Sequence, residues 1–351
     1  MKLPVSRLFG LLLPVWLSGC SHSGGQPPAP THVLGAHPDA ANDPAYLGSA
    51  LVSGERSAQE LLETYPRREP DAKVAARLAE ILADEGRTLR WSASGTEEFC
   101  QNGEVWIPII LRVPPPCADR ACPVIVHYSG GCARPRYHWR AEFFLRAGYI
   151  FAEPNNRGTS CSEEWRHADD GPKRLEAQMD IEACGRFLRK RFTRDGKAPK
   201  VGVLGWSFGG NETLVAMTRF AGVYDAGFAF SAKTDLYSFF KHAPEGLRAQ
   251  RSAEYGDPGV DADLMRSTSA AAYVDRIEGP IALMLGGRDP KVSLSDADTF
   301  VRAARRLHKD VSLMIVPEHG HLTEQPREIV FEHAHALEFF SEKLGHPLDL
   351  R

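Results

Sequence analysis

The strongest chemical signal in this sequence is the stretch VGVLGWSFGG, at residues 201–210. Its apolar start predicts a short buried strand, and residues 212–220 predict a helix. A G-x-S-x-G segment between a strand and a helix is typical of a tight turn that presents its serine, here Ser207, as a nucleophile. The helix N-terminus favours the negative charge that develops when a serine attacks a carbonyl. The alternative is a chance G-x-S-x-G in a glycine-containing turn.

A serine nucleophile needs a base that accepts its proton and an acid that orients the base. The apolar strand in LMLGGRDPKV ends in a loop that carries Asp289, and we predict that Asp289 is this acid. Asp296 and Asp298 are the alternatives, but both fall in a predicted helix, where we expect them to face solvent. The chain order Ser, Asp, His is the order of the triad in α/β-hydrolases.

The base is expected in the loop after the last strand, where the sequence is PEHGH. We predict that His321 is the base, because Gly320 gives the chain the freedom to present it to the site. His319, in the same loop, is interpreted either as a support for the site or as an exposed residue.

Acyl transfer also needs donors for the oxyanion. We predict that one donor is the backbone N–H of Phe208, the residue after the nucleophile. The second is expected from HYSGG, residues 127–131, where a glycine pair permits close backbone approach and the Tyr128 hydroxyl is a further candidate. The alternative for Tyr128 is an aromatic side chain at a half-buried strand end.

The order of the predicted elements supplies a scaffold that brings these residues together. From residue 88 onward strands alternate with helices, which predicts an α/β fold with a mainly parallel sheet and helices on both faces. A small helical region precedes it, with Val74, Leu78, Ile81 and Leu82 on one helix face. The predicted strands are 88–91, 105–113, 124–126, 149–152, 201–204, 228–230, 281–285 and 311–316, and the later helices are 137–147, 175–192, 212–220, 296–307 and 327–344.

Five motifs in this order resemble the catalytic domain of the prolyl oligopeptidase family of serine peptidases, over about residues 89–344. GWSFGG is similar to the elbow of the dipeptidyl-peptidase branch, and VIVHYSGG is similar to the strand whose terminal tyrosine hydroxyl completes the oxyanion hole. EPNNRG, LMLGGRDPKV and VPEHGH resemble the N-x-R-G segment and the acid and histidine loops. The resemblance implies an α/β-hydrolase fold, a triad of Ser207, Asp289 and His321, and an oxyanion role for Tyr128.

The sequence departs from the family pattern at positions that bear on the substrate. Lys291 replaces the Asn often found after the acid, and Asn211 replaces a common Tyr, so proline selectivity is not implied. Fewer than about 90 residues precede the domain, so we do not expect the family's β-propeller. The resemblance implies an aromatic specificity pocket built from residues after the strand that follows the elbow. Trp206, Tyr237 and Phe239 are therefore weak pocket candidates. The alternative is that they belong to the core.

The N-terminus predicts export. Positive charges, the apolar residues 8–17 and the sequence LSGC resemble a bacterial lipobox, with Cys20 as the lipidation site. A plain signal peptide with a fortuitous cysteine is the alternative. Ser21 after the cysteine favours the outer membrane, so we predict a lipid anchor in a bacterial envelope. The predicted parts are a signal peptide at 1–20, a flexible linker at 21–44, a helical region at 45–87 and a catalytic domain at 88–345.

Six cysteines remain once Cys20 is set apart, and an even number in an exported protein fits disulfides. Six cysteines allow 15 pairings, and the sequence leaves the choice among them open. The favoured pairs are one that flanks a four-residue loop, one whose members follow two predicted strand ends and could meet, and the one that would then be left. These pairs are Cys117 with Cys122, Cys132 with Cys161, and Cys100 with Cys184. Zinc is the competing hypothesis, but no CxxC or Cys/His ligand spacing supports it.

The charge and composition of the chain bear on which partners and cofactors are expected. The net charge is −3 and the charges are mixed along the chain, so nothing points to nucleic acid. We predict no cofactor and no metal, because no motif for either is present. The leading hypothesis is a serine peptidase that acts on peptides through an acyl-enzyme on Ser207. A carboxylesterase acting on small esters is the alternative, and a non-catalytic binding lipoprotein on a hydrolase fold is a third.

Overall fold

The computed structural model describes residues 56–84, 94–136, 138–323, 325–348 and 350. Within them an eight-stranded sheet forms the centre of the protein. The strands are β1 Thr96–Asn102, β2 Val105–Arg112, β3 Val124–Tyr128, β4 Ile150–Pro154, β5 Val201–Trp206, β6 Ala226–Phe230, β7 Ile281–Gly286 and β8 Val311–Val316.

The strand order is β1-β2-β4-β3-β5-β6-β7-β8. β1 pairs with β2 and β2 pairs with β4 in the antiparallel sense. From β4 across to β8 every neighbouring pair is parallel. The carboxyl ends of these six strands therefore share one edge of the sheet, where the loops that follow them can meet. The predicted α/β fold with a mainly parallel sheet is confirmed.

Helices fill the connections between the strands. None of them, within the described residues, is long and apolar enough to cross a membrane. The α-helices of this part are α1 Ala58–Thr64, α2 Ala72–Asp84, α3 Trp139–Arg146, α4 Glu163–Arg166, α5 Arg174–Ala177, α6 Met179–Arg191, α7 Phe208–Thr218, α8 Leu236–His242, α9 Glu245–Tyr255, α10 Ala262–Ser267, α11 Leu294–Arg306 and α12 Pro326–Leu344.

Two hydrophobic cores cover the two faces of the sheet. Because side chains alternate along a strand, Val124 and Val126 of β3 face one core, which includes residues of α1, α6, α7 and α11. Ile125 faces the opposite core, which includes residues of α2, α3 and α12. The central strands are buried on both faces, which is why their sequences are continuous apolar runs.

The helical region before the sheet packs on it. Leu78 and Ile81 of α2 are buried, and Val74 and Leu82 are partly buried against the core that α2 shares with α3 and α12. These four residues are the predicted apolar face of the helix, and that prediction is confirmed. A surface helix of this kind is stabilised mainly by the burial of such a face.

The structure differs from the predicted elements in a few places. The predicted helix at 175–192 is divided into α5 and α6, and the sequence missed β1. It also missed α8, α9 and α10, which lie between β6 and β7. The signal peptide with Cys20, the linker at 21–44 and the predicted strand at 88–91 lie outside the described residues.

Three disulfides join the pairs that the sequence favours, and the competing zinc hypothesis for these cysteines is wrong. The first closes the loop between β2 and β3, the second joins the loops after β3 and β4, and the third joins β1 to α6. They are Cys117–Cys122, Cys132–Cys161 and Cys100–Cys184.

Leu78→Ala is expected to lower the free energy of unfolding by about 2–5 kcal/mol, because it leaves a cavity at a fully buried position under α2. The control is Val260→Ala, at a side chain that is 84% exposed, with an expected change below about 0.5 kcal/mol. Urea unfolding followed by tryptophan fluorescence measures both variants. A wild-type midpoint for Leu78→Ala would contradict the packing of α2 on the sheet.

Candidate active site

Ser207 occupies the sharp turn between β5 and α7. Its φ of 54° and ψ of −110° are strained for a residue with a side chain. A Cβ on Gly205 would lie 2.4 Å from the carbonyl group of Gly209, and one on Gly209 would lie 1.9 Å from the carbonyl oxygen of Tyr128. The Ser207 N–H donates to the carbonyl of Phe230 at 3.0 Å, which ties the turn to β6. The predicted strand–turn–helix context of G-x-S-x-G is therefore present.

Ser207, His321 and Asp289 form a continuous hydrogen-bonded chain. His321 Nε2 lies 2.8 Å from Ser207 Oγ, and His321 Nδ1 lies 3.0 and 2.9 Å from the two carboxylate oxygens of Asp289. Asp289 is 1% exposed, and its Oδ1 also accepts a hydrogen bond from the Lys291 N–H. An imidazole that donates its Nδ1–H to this carboxylate has Nε2 free to accept the serine proton.

The two alternative acids have other partners. Asp298 accepts a hydrogen bond from the Tyr65 hydroxyl at 2.7 Å, and Asp296 accepts one from the Ser238 hydroxyl at 2.8 Å. Both lie in the predicted helix, now α11, but the expectation that they face solvent is wrong. Asp298 is 2% exposed, and burial raises the pKa of Asp296 despite its hydrogen bonds from Ser238 and Ser293.

His319 lies outside the hydrogen-bonded chain of the site. It is buried, with Nδ1 at 3.6 Å from a Glu332 carboxylate oxygen, and its carbonyl accepts a hydrogen bond from the Arg288 N–H at 2.9 Å. The loops after β7 and β8 approach closely because Gly286 has no side chain: a Cβ there would lie 2.4 Å from the His319 carbonyl oxygen. Gly320 has no positive φ, so the expectation that its freedom presents His321 is wrong. The residue that needs to be glycine is Gly286.

Backbone N–H groups beside Ser207 are available for an oxyanion. Phe208 is the first residue of α7, so its N–H has no acceptor within the helix. Phe208 and Gly130, of the loop after β3, border the same cavity as Ser207. A Cβ on Gly130 would lie 3.6 Å from the Phe208 Cβ, so the two segments are in contact.

The Tyr128 hydroxyl is not part of this site, and the oxyanion role implied for it is wrong. The side chain is fully buried, with its hydroxyl 2.9 Å from the Tyr224 hydroxyl, which donates to the carbonyl of Ile181. The reason is the alternation of side chains along β3. Tyr128 shares a face of the strand with Val124 and Val126, and all three belong to the core that includes residues of α6 and α7.

The segment after β4 holds the loop that carries Gly130. The Asn155 side chain accepts a hydrogen bond from the Ala133 N–H at 2.7 Å and donates one to the Ala133 carbonyl at 3.0 Å. The Ser160 N–H donates to the Gly130 carbonyl at 2.9 Å, and the disulfide of Cys132 joins the same two segments. These contacts fix the position of Gly130 relative to the nucleophile.

Arg157, in the N-x-R-G segment, anchors this support to α6. Its Nε and one terminal nitrogen donate to the two carboxylate oxygens of Asp180 at 3.0 and 2.7 Å, and its backbone N–H donates to the same group. Asp180 is fully buried. Such a bidentate pair restricts orientation as well as position. The segment then turns at Gly158, where φ is 95° and a Cβ would lie 2.6 Å from the Asp169 carboxylate.

A cavity of about 550 Å³ opens beside Ser207. Phe239 and Phe240 of α8 line it together with Tyr255 of α9. Phe239 is thus placed at the site as a pocket residue, in agreement with the sequence-based expectation. Much of the wall comes from α8 and α9, two helices that the sequence did not predict.

The other two pocket candidates, Trp206 and Tyr237, lie away from this cavity. Trp206 is stacked on Phe230, with ring centroids 4.0 Å apart, in the core on the α12 side of the sheet. Tyr237 packs under the guanidinium of Arg266, 3.8 Å from the ring centroid. The expectation that they line the pocket is wrong, because the backbone of β5 and α8 turns both side chains to other faces.

Sequence reasoning missed two polar residues of the cavity wall. Asn211 lies one helical turn after Ser207, and its Oδ1 accepts a hydrogen bond from the Lys233 N–H at 2.7 Å. The Lys233 ammonium lies 4.8 Å from the centroid of the Phe239 ring. For Asn211, its position directly after the glycine pair was the one feature of the sequence that could have indicated a place at the site. No sequence motif includes Lys233.

A group of buried charges lies next to the cavity wall. Glu212, adjacent to Asn211 on α7, is 4% exposed. Burial raises the pKa of Glu212 to about 8, with Arg174 opposing the rise and Asp169 adding to it. Arg174 itself pairs with Asp169 at 2.9 Å. The raised pKa favours the protonated form of Glu212 at neutral pH.

His127, His138 and Glu153 place their donor atoms within 4.8 Å of one another, as a metal site would. Glu153 already forms an ion pair with Arg112, and the Nδ1 atoms of both histidines lie within 3.3 Å of its Oε1. Burial opposes ionisation of Glu153, but the hydrogen bonds from the two histidines hold its pKa well below the usual value. A cation here would meet the Arg112 charge, so the donor set fits a compensated ion-pair network better than a metal site.

The geometry of the site is that of acyl transfer. A nucleophilic oxygen, an imidazole that accepts its proton and a carboxylate that orients the imidazole stand in line. Backbone N–H groups at the start of α7 and in the loop after β3 border the same cavity. Such backbone N–H groups are the donors that an oxyanion needs when a carbonyl is attacked.

A family model and curated proteins match this chain. The model of the prolyl oligopeptidase family matches residues 135–347. The chain is 27% identical over 239 residues to dipeptidyl peptidase family member 6 of Caenorhabditis elegans, covering 66% of this chain and 32% of that protein. It is 24% identical over 238 residues to dipeptidyl aminopeptidase BIII of Pseudoxanthomonas mexicana, covering 65% and 34%. The chain thus spans about a third of the length of these relatives.

Solved structures match over a similar part of the chain. The acylaminoacyl peptidase of Pyrococcus horikoshii superposes with a TM-score of 0.63 at 20% identity, covering 73% of this chain and 42% of that one. Oligopeptidase B of Leishmania major superposes with a TM-score of 0.65 at 18% identity, covering 72% and 37%. At these identities the likeness concerns the fold, and the predicted α/β-hydrolase fold is confirmed.

Glu212→Gln is expected to be increasingly more stable than wild type as pH rises from 4.5 to about 8. In this window the unfolded glutamate has lost its proton while the folded one keeps it, so wild-type stability falls with rising pH by at most about 1.4 kcal/mol per unit. The neutral amide has no such dependence. Urea midpoints at pH 5, 6, 7 and 8 test this, with Glu164→Gln on the surface as the matched control. A pH-independent difference would contradict a protonated Glu212.

Proposed function

The chain belongs to the prolyl oligopeptidase family, and we propose that it is a serine peptidase that cleaves peptide bonds through an acyl-enzyme on Ser207. The observation that carries the proposal is the hydrogen-bonded chain from Ser207 through His321 to Asp289. These three side chains follow three parallel strands, β5, β7 and β8, so the sheet fixes their positions relative to one another.

In the acylation step, Ser207 Oγ forms a bond to the substrate carbonyl carbon while His321 Nε2 takes the serine proton. Asp289 keeps the imidazole in the tautomer with hydrogen on Nδ1 and stabilises the imidazolium. The imidazolium then donates its proton to the amine as the C–N bond breaks, leaving the ester on Ser207. Water, deprotonated by the same imidazole, hydrolyses this ester and restores the serine hydroxyl.

The oxyanion of each tetrahedral intermediate is assigned to backbone donors. The N–H of Phe208 is one donor, because Phe208 is the first residue of α7 and borders the cavity. The second is assigned to the loop of Gly130, which is held against Phe208 by its contacts with the segment after β4. Preorganised donors of this kind contribute roughly 3–4 kcal/mol each to transition-state stabilisation.

The substrate class proposed is a peptide. The names of the matched relatives describe dipeptidyl and acylaminoacyl peptidases, and peptide cleavage comes to this chain as a proposal on that ground. Ester hydrolysis is the alternative activity, and a comparison of ester and anilide substrates distinguishes the two. Lipidation at Cys20 and an envelope location stay predictions, since they concern residues outside the described part of the chain.

Ser207→Ala is expected to lower kcat about 10⁶-fold, because the acyl-enzyme can no longer form. An ester and an anilide with the same peptidyl acyl group are assayed side by side, and a fluorophosphonate probe counts reactive sites. Labelling of wild type alone, with anilide turnover that depends on Ser207, supports a peptidase. Fast ester cleavage with negligible anilide cleavage would point to an esterase instead. A protein that neither reacts with the probe nor turns over either substrate would be the non-catalytic alternative.

Tyr128→Phe is expected to change kcat/KM for the anilide by less than about threefold, because the hydroxyl it removes is bonded to Tyr224 inside the core. Loss of a genuine oxyanion donor costs about 10²- to 10³-fold in kcat. Tyr224→Phe, which removes the other hydroxyl of the same pair, is the matched control. A hundredfold loss for Tyr128→Phe alone would mean that the hydroxyl reaches the oxyanion.

A further inference from the structure

The cavity beside Ser207 contains a cation that the mechanism above does not use. Lys233 follows β6 in the loop before α8 and borders the cavity together with Asn211 and Phe239. Its side chain is half-buried, and its ammonium lies 4.8 Å from the centroid of the Phe239 ring. A charge partly withdrawn from water beside an aromatic ring is costly unless something compensates it.

Lys233 forms no direct ion pair within the part of the chain that the structure describes. No carboxylate oxygen of that part lies within 4.0 Å of its ammonium, and no hydrogen-bond acceptor is recorded for it. The acidic groups of the wall are already paired: Glu254 with Arg251 at 2.8 Å, and Asp170 with His167 at 2.7 Å. The charge of Lys233 is therefore available to a ligand in the cavity.

The backbone of Lys233 is also fixed. Its N–H donates to Asn211 Oδ1 at 2.7 Å, and Asn211 stands one turn after Ser207 on the same helix. The backbone of Lys233 is thus tied to α7 by a direct hydrogen bond from the loop after β6.

The location of Lys233 indicates which part of a substrate it meets. A leaving group must contact His321 Nε2, from which it takes its proton. The part of the cavity lined by α8, α9 and Lys233 then remains for the acyl side of the scissile bond. The aromatic rings of Phe239, Phe240 and Tyr255 suit the methylene groups of a side chain, and the ammonium suits a carboxylate at its end.

We propose that this cavity selects peptides with an acidic side chain on the residue whose carbonyl is attacked, and that Lys233 binds that carboxylate. The proposal rests on the peptidase function proposed above and specifies its substrate. Lys233 is a specificity-determining residue here, and it takes no part in the bond-breaking steps.

The titration of Lys233 supplies an independent signature. Burial lowers the pKa of Lys233 to about 8; Asp289 and Glu254 oppose the change, while Arg251 and Lys291 add to it. As pH rises through this value the ammonium becomes a neutral amine and the attraction for a carboxylate is lost. The ratio of kcat/KM for a glutamyl over a glutaminyl substrate should therefore fall as pH rises through about 8. Titration of the triad changes kcat/KM for both substrates by the same factor, so it does not affect this ratio.

The experiment compares Ala-Xaa p-nitroanilides in which Xaa is Glu, Asp, Gln, Ala or Lys, with free and acetylated amino termini. These substrates carry no carboxylate on the leaving side, so they report on the acyl side alone. Wild type is expected to prefer Glu over Gln by at least about 30-fold in kcat/KM, the size of effect typical of a desolvated charge pair. The active-site concentration is taken from fluorophosphonate labelling in every case.

The variants isolate the charge. Lys233→Met is expected to bring the Glu/Gln ratio to about one, and Lys233→Arg is expected to keep a clear preference for Glu. Lys233→Glu is expected to shift the preference toward Lys. Lys241→Met removes the same charge from an exposed position on α8, and it serves as the matched control with a wild-type ratio.

The outcomes separate this proposal from the peptidase assignment. Turnover of Ala and Gln substrates at least as fast as Glu, with Ser207-dependent labelling, would leave the peptidase standing and overturn the role of Lys233. A preference seen only with peptides that bear a carboxylate on the leaving side would also overturn it. Absence of any anilide turnover in wild type would instead defeat the proposed function itself.

Discussion

The active site depends on one close crossing of backbones. The start of α7 passes so near the end of β3 that a Cβ on Gly209 would lie 1.9 Å from the Tyr128 carbonyl oxygen. This contact sets the nucleophile at a fixed distance from the loop of Gly130, and it forces Ser207 into a backbone conformation with φ of 54°. The strain is tolerated because β5, between two parallel neighbours, and α7, covered by core, cannot relax independently.

The loops at the carboxyl edge of the sheet are held in place by hydrogen bonds to other segments of the chain. Asn155 holds the oxyanion loop, Arg157 holds the segment of Asn155 to α6, and Arg288 ties the acid loop to the histidine loop. Most of these bonds go from a side chain or an amide to the backbone of another loop. Such bonds fix position without adding charge to the cavity, which keeps the charges that remain there available for chemistry and recognition.

Buried charge is distributed unevenly around the site. Asp289 is compensated by His321, and Glu153, away from the site, is compensated by Arg112 and two histidines. Within the described residues Glu212 has no such direct ion pair, and burial raises its pKa to about 8. Lys233 differs from these groups, since its ammonium lies near the Phe239 ring and no carboxylate oxygen of the described residues lies within 4.0 Å of it. In the proposal above, the carboxylate of a bound substrate supplies this missing partner.

The sequence by itself determined the order of the functional motifs along the chain, which are the elbow at Ser207 and the loops of Asp289 and His321. It favoured the observed disulfide pairs but left the choice among the possible pairings open. These are local patterns, in which turn chemistry, apolar runs and spacing act over a few residues. Only the tertiary structure decided which way side chains at strand ends point, so Tyr128 is in the core and Trp206 is on the far face of the sheet. It also decided the pocket, because Lys233 reaches the site through packing of β6, α7 and α8, and contacts between distant segments leave no periodic trace in a sequence.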